Sequence, residues 1–100
     1  MDEKSVMDSL NDDAIIQRQE KDVYSIVVDG ETVIVNVQSG DQYSLNQTGT
    51  VIWQLADGAH TLRQIVASLE EQYDVTEEQA HSEVFQLASE LLNESLIIVK

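Results

Sequence analysis

Neither cysteine nor proline occurs among the 100 residues. The absence of cysteine excludes disulfide staples, iron–sulfur clusters and thiolate zinc sites. Basic residues are scarce: 5 Lys and Arg stand against 19 Asp and Glu, a formal net charge of −14. The excess is −4 in residues 1–22, −3 in 23–46 and −7 in 47–100, so it belongs to the whole chain and not to one tail. Residues 22–62 hold no Lys or Arg at all. Affinity for phosphates needs such residues, and nucleic acid and anionic membrane are therefore disfavoured as partners. No stretch approaches the roughly 18 apolar residues of a membrane span. The opening MDEKSVMDSLNDD is acidic where a signal peptide is basic and then apolar. The cytoplasm is the expected compartment.

What is present is enough for one domain. Hydrophobic residues make up 42% of the chain, which supports a modest core. Residues 1–13 are polar and aperiodic and read as a flexible acidic arm, with AIIQ (14–17) as an ordered segment at its end; residues 14–100 read as the domain. Three strands follow. Val23–Val28 ends in Asp29-Gly30, a pair suited to a tight hairpin turn. Residues 32–38 (TVIVNVQ) alternate, with Val33, Val35 and Val37 on one face and Asn36 and Gln38 on the other. After the turn at residues 39–41, Gln42–Leu45 turns Tyr43 and Leu45 inward and Gln42 and Ser44 outward. The pattern is a three-stranded antiparallel meander with one apolar face.

Such a sheet needs cover. Asn46 is a good N-cap for a first helix carrying Val51, Ile52, Leu55 and Ala56 on one side and stopping at Asp57-Gly58. Thr61–Gln64 is a capping box that opens a second helix, with Leu62, Ile65, Val66, Leu69 and Tyr73 at helical spacing. Thr76–Gln79 is another, opening a third helix to about Asn93 with Ala80, Val84, Leu87, Ala88 and Leu91 on its core face. Residues 96–99 (LIIV) read as a closing strand. The fold class is α+β: a three-stranded antiparallel meander, then three helices in a winged-helix-like order, then a short C-terminal strand.

Chemistry-bearing constellations are not assembled. Glu70-Glu71 and Glu77-Glu78 are adjacent pairs whose side chains diverge on a helix and read as solvated faces. His60 and His81 lie in different elements without further ligands at metal-binding spacing, and no glycine-rich phosphate loop occurs. No metal, cofactor or catalytic residue is expected. The third helix says more. Its core stripe is flanked by an acidic edge (Glu83, Glu90, Glu94) and by an apolar edge (Phe85, Leu92). A helix apolar beyond one stripe touches two elements or lends surface to a partner.

The run from Tyr43 to Val99 resembles the PqqD family, the peptide-chaperone domains also called RiPP recognition elements. The resemblance is carried by Leu45-Asn46, Thr48-Gly49, Ile52-Trp53, Asp57-Gly58 followed by Thr61, and Glu83-Val84 with Leu87 and Leu91, in that order and spacing. Ser95-Leu96-Ile97 stands where the family has Gly-Leu-Val, and Glu83 where it often has Asp. The resemblance implies a non-catalytic role. A precursor's leader peptide would add as a strand along Gln42–Leu45 and lay apolar side chains in a groove beside the third helix. The expected peptide-binding residues are Gln42, Tyr43, Ser44, Leu45 and Glu83, with a wall from Phe85, Ala88 and Leu92 or else from Val84 and Leu87. Trp53 is expected as a core anchor behind the groove. The expected partners are the leader peptide and a modifying enzyme, such as a radical SAM or ATP-dependent one, with the domain a monomer or homodimer.

Two other readings compete. A non-catalytic regulatory subunit of a larger enzyme fits the same residues. A winged-helix transcription factor needs a basic recognition helix, and residues 76–94 contain no Lys or Arg.

Overall fold

The turn at Asp29-Gly30 sets the architecture. Both residues have positive φ, 54° and 80°, the requirement of a two-residue hairpin whose twist matches its strands. The turn joins β2 (Val23–Val28) to β3 (Glu31–Asn36), paired antiparallel from Val28↔Glu31 to Val23↔Asn36. β4 (Gln42–Leu45) pairs with β3 from Thr32↔Leu45 to Val35↔Gln42, which completes the meander β2-β3-β4. This computed structural model describes residues 10–100.

The inward face is the opposite of the one a valine count suggests. Thr32 and Ile34 are fully buried, while Val33 and Val35 are half-buried and Val37 is exposed. Registry fixes this, because cross-strand partners share a face and Thr32 and Ile34 sit opposite Leu45 and Tyr43. A threonine can occupy the core because its hydroxyl donates to Thr50 Oγ1 at 2.8 Å, and Thr50 in turn donates to Asn46 O at 2.9 Å.

Three helices follow among the described residues: α1 (Gln47–Leu55), which packs on β3 and β4, α2 (Leu62–Gln72), which packs on α1 and α3, and α3 (Glu77–Asn93). Asn46 caps α1, its side chain accepting from Gly49 N at 2.8 Å. Gly49 therefore lies inside the first helical turn. A Cβ there would come within 3.1 Å of Leu45 Cβ, so glycine permits the close approach of α1 to β4. Both capping boxes form, Thr61 with Gln64 and Thr76 with Gln79. Trp53 is buried, and its indole N–H donates to Ser25 Oγ at 3.2 Å, which pins α1 to β2.

A second sheet escaped the sequence reading. β1 (Ile15–Arg18) lies between β5 (Asp57–Thr61) and β6 (Ile97–Val99), antiparallel to both. β5 begins at Asp57-Gly58, where the first helix was expected to stop, and Gly58 has a φ of 80° within it. Arg18 ends β1 by donating to Trp53 O and Gln54 O, both at 2.8 Å, which satisfies carbonyls freed at the end of α1.

Of the arm expected over residues 1–13, residues 1–9 lie outside the described residues. Residues 10–13 are held against the helices: Leu10 is buried, Asp12 O accepts from Arg63 N at 2.9 Å, and His81 contacts Asp12 at 3.2 Å. No helix among the described residues is long and apolar enough to cross a membrane.

Candidate peptide-binding groove

Among the described residues β4 is an edge strand, with β3 as its only neighbour in the sheet. Its outward backbone groups follow from the hydrogen-bond phase. Asn36 N donates to Asp41 O at 3.0 Å, so Asn36 and Asp41 are a hydrogen-bonded pair. In an antiparallel ladder such pairs alternate. Ile34↔Tyr43 and Thr32↔Leu45 are then bonded inward, and Val33↔Ser44 and Val35↔Gln42 are not. Gln42 and Ser44 therefore turn their N–H and C=O groups to the free edge. Spacing alone leaves this choice open, because it does not give the phase.

Beside that edge runs a groove of about 240 Å³ between β4 and α3. Its floor is apolar, from Leu45, Ile52 and Leu87, and its rim carries Glu83, Gln86 and Glu90 of α3 with Asn46 and Thr48 at one end. Positions 83, 86, 87 and 90 follow the i, i+3, i+4, i+7 spacing of one helix face. Among the described residues no Lys or Arg lines the groove. Tyr43 joins its two walls by donating its hydroxyl proton to Glu90 Oε2 at 3.0 Å. Desolvation, followed by that hydrogen bond and the negative charges of Glu90 and Glu94, pushes the phenol up to about 12. It stays protonated at neutral pH and remains a donor.

The expected site residues separate into groups. Tyr43, Ser44, Leu45, Glu83 and Leu87 line the groove, and Gln42, exposed on β4, does not. Val84 and Ala88 are fully buried and support the helix from beneath. Leu92 packs half-buried against the core. Phe85 lies on another side of α3, facing Leu10 and stacked on His81 with ring centroids 4.0 Å apart. Ile52, Gln86 and Glu90 line the groove without having been singled out for it. For Gln86 and Glu90 the signal was their spacing from Glu83 and Leu87; for Ile52 there was none, since its helix reads as plain cover.

Three comparisons bear on this site. Residues 31–97 match the family described as Coenzyme PQQ synthesis protein D (PqqD). No curated protein sequence matches. Among solved structures, the chain is similar to TbiB1 in complex with the TbiA(beta) leader peptide, at 23% identity and a TM-score of 0.72, over 81% of this chain and 94% of that one. It is similar to lasso peptide synthetase B1 complexed with the leader peptide, at 20% identity and a TM-score of 0.75, over 85% and 99%. It also resembles part of the heterocyclase TruD, at 19% identity and a TM-score of 0.59, over 87% of this chain and 12% of that one.

Proposed function

The chain belongs to the PqqD family, and on that premise we propose that it binds the leader segment of a ribosomally made precursor peptide and presents it to a modifying enzyme. One observation carries the reading: the free backbone edge of Gln42 and Ser44 borders an apolar groove with an acidic rim. An extended peptide added to such an edge gains affinity from main-chain hydrogen bonds and specificity from pockets that take alternate side chains. The two solved complexes with leader peptides support the same use of the fold.

The mechanism follows from the groove. The leader pairs antiparallel or parallel with β4, bonded through the backbones of Gln42 and Ser44. One apolar side chain enters between Leu45, Ile52 and Leu87. Glu83 and Glu90 select a Lys or Arg beside it, since no base among the described residues of the groove neutralises them. Tyr43 holds β4 against α3 so that the groove is formed before the peptide arrives, which lowers the ordering cost of binding. Val84, Ala88 and Leu92 act from beneath, by fixing α3. The domain carries no reaction of its own; a precursor-modifying enzyme, radical SAM or ATP-dependent, does the chemistry in the cytoplasm. The likeness to a small part of a heterocyclase supports a partner of that kind.

Titration of the leader into Leu87→Arg tests the reading. Leu87 is half-buried against the core, so the fold of the variant is checked by circular dichroism, and in the folded variant a cation filling the groove weakens binding at least tenfold. Unchanged affinity in the folded variant places the peptide elsewhere.

A further inference from the structure

Among the described residues nothing covers the outward face of the β2-β3-β4 sheet, and that face is apolar. Alternation puts Tyr24, Ile26 and Val28 of β2 on it, and registry sets Val35 beside Tyr24 and Val33 beside Ile26. Tyr24 is 63% exposed, Ile26 61% and Val28 54%. Single exposed apolar side chains are ordinary, but a contiguous group marks an interaction site.

Two features choose the occupant. The first is charge. Asp29 and Glu31 stand at the hairpin end of this face and Asp22 and Asp41 at the other, with no Lys or Arg anywhere in residues 22–62. A second copy of the chain would set acid against acid, with −14 on each molecule. The second feature is continuity. The face runs through Ser44 and Gln42 to the free edge of β4, and every second side chain of a strand added there would extend it.

The geometry points to this face as the docking surface of the precursor-modifying enzyme, which meets it with an apolar patch flanked by Lys and Arg. The identity of that partner rests on the leader-binding reading of the β4 edge; the surface itself does not. A docked enzyme would touch the sheet and the outward side chains of the leader together, so the loaded domain presents a larger surface than the empty one.

The test uses the full chain and the purified enzyme that modifies its precursor, with a Tyr24→Ser/Ile26→Ser variant and, in case that variant folds poorly, Val28→Lys. Both alter outward, exposed positions. Three quantities are measured for each protein: affinity for the leader, affinity for the enzyme with and without leader, and mass in solution by light scattering. The expected result is leader affinity within twofold of wild type in both variants and enzyme affinity at least tenfold lower. Wild-type affinity for the enzyme should also fall several-fold between 50 and 500 mM NaCl, as an acidic rim meeting basic residues requires. Equal enzyme binding by wild type and variants, or no enzyme binding by wild type, overturns the inference. So does a wild-type dimer that becomes monomeric in the variants, which would make a second copy the occupant. Loss of leader binding by the wild type alone would instead overturn the reading of the β4 edge, and the enzyme affinities would still decide the docking surface.

Discussion

Tyr43 and Glu90, 47 residues apart in sequence, are joined by a 3.0 Å hydrogen bond that ties the edge strand β4 to α3 across the groove. The bond places a donor against a carboxylate where the two walls would otherwise be free to part. Its consequences can be measured separately from peptide binding.

Tyr43→Phe keeps the ring and removes the bond. Stability at pH 7 should fall by about 0.5–1.5 kcal/mol, the net worth of one such hydrogen bond. The pH dependence gives a second readout. The folded-state phenol titrates at about 12 against an ordinary value of 10.0. Its contribution is complete below pH 10 and is lost as the pH rises through 12. Urea denaturation from pH 8 to 12 should show a steeper alkaline loss in wild type than in Tyr43→Phe. Parallel curves would mean that the phenol is not held by Glu90.

Ser95 ends α3 in a left-handed conformation, φ 60°, where Leu96 N donates to Leu91 O and Ser95 N to Leu92 O. This pair of bonds is the Schellman arrangement, which glycine fits best. Ser95→Gly should raise stability by roughly 1 kcal/mol, by relieving a side chain from the left-handed region. A higher denaturant midpoint at unchanged slope is the expected result.

Asp57 is hydrogen-bonded to His60 Nδ1 and to Ala59 N, both at 2.9 Å, and the His60 bond first, then the amide, hold its carboxyl below the usual value of 3.8. A depressed carboxyl stabilises the fold above its unfolded value, and that contribution disappears as the pH falls through the folded one. Asp57→Asn should therefore show a shallower loss of stability below pH 4 than wild type in acid titrations followed by circular dichroism.

The sequence was most legible where local chemistry decides. Asp29-Gly30, Asn46 and the two capping boxes fixed the hairpin and the helix starts, because each satisfies its own backbone within four residues. It misled where tertiary context decides. Val33, Val35 and Val37 looked like a core face, but the buried residues are Thr32 and Ile34, and the hydroxyl of Thr50 satisfies that of Thr32. The sheet of β1, β5 and β6 stayed hidden, because Ile15–Arg18 is four residues long and its partners lie about 40 and 80 residues away. For the groove, β4 and the face of α3 at positions 83 and 87 were readable from alternation and helical spacing. The depth of Ile52, the position of Phe85 against Leu10 and the phase of the edge hydrogen bonds depend on packing and register.

The central claim is that a leader peptide pairs with the free edge of β4 through Gln42 and Ser44. Calorimetric titration of the leader into wild type, Gln42→Pro and Ser44→Pro tests it most directly. Each proline removes one outward N–H and leaves the inward bonds of Tyr43 and Leu45 in place. Thermal stability should change little, and leader affinity should fall about 5- to 150-fold per proline, equivalent to roughly 1–3 kcal/mol for a buried bond left unmade. Wild-type affinity in both folded proline variants would contradict strand addition at this edge.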